Sequence, residues 1–301
     1  MPYELKIPLE VFLILFVGLF SSRYLQAKGL SHWLYRRFSP LMRRFHIPPV
    51  FALVFFTSMA AGFAGEALLA LAVKEGSVRR EDLIPGLMLI NFPVFFSFTP
   101  LVVAITLPLV GWVGLAYLAV QLSISLVVSL TGALIFWFRG LQESEEGAFV
   151  DTGSRTVADI ARESFKMSLR VSLVVLVSLT VVHLLFSAGA MDKLKLLLSG
   201  IRFRCMGPDI APIYLAHAFH IAAGAVVAGK LMARGLSPFK VLLGMVWGYV
   251  LGVPIRGITN IMPRYCAMYG VRDGVRAWFV VQVYRGAVGV VAALIICGVV
   301  C

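Results

Sequence analysis

Apolar residues run along this chain in long uninterrupted blocks, without strand-like alternation or the one-sided stripe of a soluble surface helix, and this predicts helices that are apolar on every face. Charges and Pro/Gly punctuation mark out eight such blocks, at about residues 5–20, 48–73, 83–107, 109–137, 167–188, 208–233, 238–262 and 274–300. The plainest stretch is Leu83 to Phe138, 56 residues between Asp82 and Arg139 with no Asp, Glu, Lys, Arg or His. One helical crossing takes about 20 apolar residues, so this stretch alone holds two. The expected fold is all-α: a polytopic integral membrane protein of about eight hydrophobic segments, some broken by Pro and Gly.

Between the first two blocks, Leu30, Trp33, Leu34, Phe38, Leu41 and Phe45 recur at helical spacing, while Arg36, Arg37, Arg43 and Arg44 fall elsewhere. That pattern predicts a cationic amphipathic helix over residues 21–46, lying along lipid headgroups. Residues 139–166 form a polar connector, rich in Glu, Ser and Gly at first and helix-like towards its end. Either side of it the order of punctuation repeats: a span, a basic segment, a Pro-opened span, a short charged turn, a Pro/Gly-broken span and a long closing span. At an offset of 160, Gly29 meets Gly189, Pro48 meets Pro208, Ser77 meets Ser237, Thr99 meets Thr259 and Gly114 meets Gly274. The expected organisation is a first membrane repeat over 5–138 and a second over 167–300, the internal symmetry of transporter-like folds.

Composition agrees. With 60% hydrophobic and 14% charged residues, the chain lies outside the soluble, disordered and collagenous classes. The net charge of +12 reads as cationic loops on a lipid bilayer, with no basic domain for nucleic acid. Lys and Arg spread almost evenly over the two sets of loops and set no orientation. The start carries Glu4 and Glu10 with no basic n-region, which reads as a retained first span in place of a signal peptide. Cys205, Cys266, Cys297 and Cys301 form no CxxC pair and read as plain thiols in or beside hydrophobic segments.

Polar groups inside the blocks are the informative exceptions, because a charge at mid-membrane costs about 2.5–3.5 kcal/mol on insertion scales and calls for a partner or a wet cavity. Glu66 follows Gly62 and Gly65, which admit a close neighbouring helix, and reads either as a proton or cation site or as the partner of a buried Arg. Arg256, in GVPIRGITN, and Arg285, in VVQVYRGAV, are the partners considered. His217 and His220 form an HAFH pair whose three-residue spacing puts both imidazoles on one helical face; this gives a weak metal site or, more simply, packing histidines. The third blocks of the two halves carry Pro85, Pro93, Pro100 and Pro108 with Asn91, Ser97 and Thr99, and Pro254 and Pro263 with Arg256, Thr259 and Asn260. Paired broken segments point to a midplane solute site.

The segment ESFKMSLRVSLVVLVSLTVVHLLFSAGAMDKLKLLLSG, continued through the Pro-opened span to GAVVAG, resembles the nucleoside-recognition (Gate) domain of spore maturation protein A/B-like proteins. YGVRDGVRAWFVVQVYRGAVGVVAALI resembles the closing helix of that domain, and the first half resembles a second copy. Gate domains also occur in concentrative nucleoside transporters and in ferrous iron transport protein B. The resemblance implies a multi-pass protein of a prokaryotic cytoplasmic (inner) membrane, related to permeases.

The expected function is a permease-like protein moving a small polar solute, nucleoside-like, or an ion. Glu66 would couple it, Arg256 or Arg285 anchor the solute, and Asn91, Ser97, Thr99, Thr259 and Asn260 supply neutral contacts. The alternative is a non-transporting membrane assembly protein that binds another membrane protein or a second copy of itself. No catalytic or cofactor motif is present, so neither an enzyme activity nor a cofactor is expected.

Overall fold

The computed structural model describes residues 44–60, 62–140, 156–166 and 207–300, with isolated positions between 12 and 42 and between 168 and 173. Most of the first and fifth apolar blocks, of the amphipathic segment and of the connector therefore lies outside the described residues. Where the chain is described it is helical, with no strand. In order it forms α1 (Val50–Ala60), α2 (Gly62–Lys74), a 3-10 turn (Arg80–Asp82), α3 (Leu83–Leu89), α4 (Asn91–Val110), α5 (Trp112–Arg139), α6 (Ala211–Phe219), α7 (Ile221–Ala233), α8 (Pro238–Arg256), a π turn (Gly257–Ile261), α9 (Met262–Tyr269) and α10 (Val271–Val300). At the end of the connector, residues 157–166 are helical. Thr156 and Asp159 start this helix with reciprocal bonds: the Thr156 hydroxyl donates to Asp159 Oδ2 at 2.7 Å, and the Asp159 N–H donates to Thr156 Oγ1 at 3.2 Å.

Among the described residues three helical stretches are long and apolar enough to cross a membrane: Trp112–Arg139, Pro238–Tyr269 and Val271–Gly298. Arg80–Leu89 with Asn91–Val103, bent by 40°, makes a fourth if counted as one span. This differs from the segments expected from sequence in where the helices break. The block at 48–73 divides into α1 and α2, and the block at 208–233 divides at His220, whose backbone is extended (φ −149, ψ 127). Pro100 and Pro108 lie inside α4 without ending it. In the second half the third block does not break at all; it passes through the π turn and continues to Tyr269.

The chain forms two compact units. The first comprises Met1–Phe98, Ser125–Leu176 and Arg264–Ala277, and the second Thr99–Ile124, Val177–Pro263 and Trp278–Cys301. Each unit is built on one half of the chain and includes the tip of a hairpin from the other half. The α4–α5 tip belongs to the second unit and the α9–α10 tip to the first.

In the first unit, Phe51, Leu69, Leu87, Ile90 and Phe136 form the core, and Gly86 leaves room for the Phe51 ring. The break before Asn91 is held from α5. Ser129 Oγ accepts the Phe92 N–H at 2.8 Å and donates to the Met88 carbonyl at 3.2 Å, supplying partners to backbone groups on both sides of the break. Ser129→Ala removes both bonds at a buried position, and we expect a loss of about 1–3 kcal/mol, read as a lower unfolding midpoint in detergent. An unchanged midpoint would show that the break does not depend on Ser129. At the outer end of α5, Arg139 reaches Asp82 at 3.3 Å.

In the second unit, α8 presents Gly244, Gly248 and Gly252 to α6. A Cβ at Gly248 would lie 2.6 Å from His217 Cβ and 3.0 Å from the Tyr214 backbone, so the helices pack at backbone distance, as small-residue stripes permit. Both hairpins turn on a glycine with positive φ, Gly111 (φ 58) and Gly270 (φ 87), which is strained for a residue with a side chain. Gly114 then abuts Thr106, and Gly274 abuts Tyr265 and Cys266. Cys297 is disulfide-bonded, which corrects the reading of all four cysteines as plain thiols.

Candidate functional site

The two units carry different polar clusters. In the first, Glu66 is 4% exposed and Arg264 6%, with Arg264 NH2 2.8 Å from Glu66 Oε2. The Tyr265 hydroxyl donates to Glu66 Oε1 at 3.3 Å, and the Tyr269 hydroxyl donates to the Glu66 backbone carbonyl at 2.7 Å. The Arg264 guanidinium sits over the Phe63 ring, 4.0 Å from its centroid, a cation–π contact. The sequence reading of Gly65 as a point of close approach holds, since a Cβ there would collide with Ser58. Glu66's ion-pair partner is thus Arg264, which corrects the pairing with Arg256 or Arg285. The cluster offers a neutralised, multiply bonded carboxylate that holds the α9–α10 tip within its unit.

The second cluster is cationic. Tyr117, from the α4–α5 tip, is fully buried; its hydroxyl bonds to His217 Nε2 at 2.6 Å and accepts from the Gln121 amide. The far end of that amide, Gln121 Oε1, is buried without a hydrogen-bond partner. On α8, the Arg256 Nε donates to the Gly252 carbonyl at 3.4 Å, and Gly252 leaves space for the guanidinium beside the Ala218 carbonyl. On α10, the Arg285 Nε donates to the buried Tyr249 hydroxyl, and its guanidinium lies 5.3 Å from that ring's centroid. Arg256 is within electrostatic reach of Tyr117, Tyr249 and Arg285. The π turn follows Arg256 directly, and Trp278 lies against it, with its indole N–H buried, unpartnered and beside Gly257.

Among the described residues no carboxylate lies within ion-pair distance of Arg256 or Arg285. Asp209 is the one described acid of this unit, and it is engaged by Lys240 at 2.7 Å. That hydrogen bond holds the Asp209 carboxyl below its ordinary range. The stabilisation is therefore present above about pH 4 and fades as pH falls below it; at this exposed position the pair is worth under about 1 kcal/mol.

The other expected site residues separate by role. Ser97 serves the backbone, accepting the Gly62 N–H at 3.2 Å and donating to the Val94 carbonyl at 2.7 Å. Thr259 donates to the Ile255 carbonyl at 3.1 Å inside the π turn, and Asn260 is exposed. Asn91 opens α4 in the first unit, and Thr99 lies in the second; each has a buried oxygen without a partner. His217 and His220 do not share a helical face: His217 is buried on α6 against Tyr117, and His220 is an exposed, extended residue at the break. Among the described residues no group of three or more His, Cys, Asp or Glu is placed to hold a metal ion.

Arg264, Tyr265, Tyr117, Gln121 and Tyr249 were not anticipated. Signals for them existed: Arg264 follows Pro263 just past an apolar block, Gln121 is the one amide in α5, whose sole charge is the terminal Arg139, and the Gly244–Gly248–Gly252 spacing marks the helix face on which the cluster is built.

The chain is 22% identical over 275 residues to an uncharacterized protein of Methanocaldococcus jannaschii, covering 89% of this chain and 86% of that protein. No family model and no solved structure matches.

Proposed function

We propose that this protein is a permease-like membrane protein and that the solute is held in the second unit by Arg256 and Arg285, with Tyr117, Gln121 and Trp278 beside them. One observation carries the reading: two arginines inside apolar spans, neither with a carboxylate partner among the described residues. Such groups in a spanning helix mark solute or ion paths, and π turns recur at functional positions. Glu66, already engaged by Arg264 and two tyrosines, has a holding role in this reading in place of the coupling role expected from sequence.

The organisation we propose is two Gate-like repeats in a prokaryotic cytoplasmic membrane. Supporting it, Gly76 and Gly111 recur as Gly235 and Gly270, each 159 residues later and each with positive φ at the end of a helix. The packing of Gly114 on Thr106 recurs as that of Gly274 on Cys266. Uptake of labelled nucleosides, nucleobases, amino acids and small carboxylates into proteoliposomes tests the function. The reading expects one solute class to enter and expects Arg256→Gln and Arg285→Gln to abolish its entry; uptake that ignores both substitutions overturns it.

A further inference from the structure

We infer that the second unit's cluster binds an oxyanion, so that the solute carries a carboxylate or phosphate group. The inference rests on the permease reading and deepens it. Arg285 stands fourteen residues after Val271 and fifteen before Val300, about 21 Å from either end at 1.5 Å per residue. Arg256 stands eighteen residues after Pro238 and thirteen before Tyr269 in its own span, about 20 Å or more from each end. Both charges therefore stand inside their spans, away from the helix ends where snorkelling is the usual account of an arginine.

The protein's own contacts do not neutralise them. Arg285 uses Nε on Tyr249 and Arg256 uses Nε on a backbone carbonyl, both neutral acceptors, and the guanidinium NH2 groups take no carboxylate from a described residue. The first unit provides the contrast, since its deeply buried Arg264 has Glu66 at 2.8 Å. Two like charges within electrostatic reach of each other repel, and a bound anion relieves both at once. Guanidinium forks suit the two oxygens of a carboxylate or phosphate. The free end of the Gln121 amide and the Trp278 N–H remain for the neutral part of the molecule.

A soluble anion and an anionic lipid headgroup share this chemistry, and matched probes in defined bilayers tell them apart. The purified full chain is placed in phosphatidylcholine nanodiscs and, separately, in nanodiscs containing phosphatidylglycerol. Its unfolding midpoint is followed with benzoate against benzamide, uridine monophosphate against uridine, and inorganic phosphate, since a ligand specific to the folded state raises the midpoint. We expect at least one anion to raise it in phosphatidylcholine, while its neutral counterpart does not. Arg256→Gln and Arg285→Gln should each weaken that binding by about ten- to a hundredfold, and the exposed Arg234→Gln should leave it unchanged. Arg285→Lys, which keeps the charge without the fork, should bind at intermediate strength and covers the case in which a neutral variant fails to fold.

Stabilisation only with phosphatidylglycerol, lost in both Gln variants, would identify the oxyanion as a lipid headgroup and overturn the solute assignment. A neutral solute that binds or enters vesicles, with no anion competing, would overturn the inference and leave the permease reading standing. Silence from every anion in both bilayers would also overturn the inference, and uptake of the broader solute panel would then judge the permease reading by itself.

Discussion

Glu66→Ala unfolds at a much lower midpoint than the parent chain, by the equivalent of about 3–5 kcal/mol, because it strands Arg264 as an uncompensated charge in an apolar unit. Arg264→Met has a similar cost for the mirror reason, removing the cation that stands 2.8 Å from the Glu66 carboxylate. The double variant Glu66→Leu/Arg264→Met removes both charges and recovers most of the loss, since a buried ion pair and a well-packed apolar pair have comparable stability. Unfolding in detergent micelles of the parent, two single variants and the double variant gives the coupling energy directly. Single variants within about 0.5 kcal/mol of the parent, the ordinary effect of a surface substitution, would mean that the pair does not hold the α9–α10 tip in place. Glu66→Gln is informative beside them: it retains an acceptor for Tyr265 and loses the charge, so its cost isolates the ionic part.

The second large effect concerns Gly248. Its missing Cβ brings α8 within contact of His217 and the Tyr214 backbone, and Gly224 presses on the same histidine from α7. Gly248→Leu forces α6 and α8 apart, and because the opposing atoms include backbone, the strain exceeds the roughly 1–3 kcal/mol typical of an overpacked core. His217 moves with α6, so the Tyr117 hydroxyl loses its 2.6 Å partner and, on the proposed reading, solute binding falls along with stability. Gly235→Ala is the useful contrast: no atom lies within 4 Å of its added Cβ, and its cost comes from the positive φ alone. If Gly248→Leu were as stable as Gly235→Ala, the close packing of α6 on α8 would be wrong.

Much of the helical architecture was legible in the sequence because its signal is crude and strong. A charge-free run such as Leu83–Phe138 has no stable form in a bilayer other than helices whose backbone bonds are internal, and α4 and α5 lie within it. Gly65 beside Glu66 also read correctly as a place where another helix comes close, and the Thr156–Asp159 pair lies where the connector turns helix-like. The breaks were harder to place. His220 sits in HAFHIA with neither Pro nor Gly at the break, and the bend there accompanies the packing of Gly224 and Gly248 on His217, which are tertiary contacts. Conversely, Pro100 and Pro108 read as interruptions, yet α4 carries both.

The candidate site was legible in its charges and illegible in its partners. Arg256 and Arg285 stand out against their apolar surroundings by type alone. Glu66 was equally visible, but its pairing depends on a hairpin tip from the far end of the chain, and Arg264 lies 198 positions further on. Spacing along one helix holds no information about such a contact. Tyr117 and Tyr249 escaped notice for another reason: an aromatic hydroxyl in an apolar block has the composition of an interfacial anchor or core filler, and only the geometry shows His217 and Arg285 as their partners. Ser97 and Thr259 were misjudged in the opposite direction, because a hydroxyl near a helix break is as valuable to the freed backbone groups as to a solute.

The most direct test of the central claim is uptake into proteoliposomes by the parent chain, Arg256→Gln and Arg285→Gln, each first shown to unfold cooperatively, with the solute class found active in the panel. The account predicts saturable uptake by the parent and loss of it in both variants, with Arg234→Gln unaffected. Uptake of equal rate and affinity in all four proteins would contradict it, and the two mid-span arginines would then serve the fold without touching the solute.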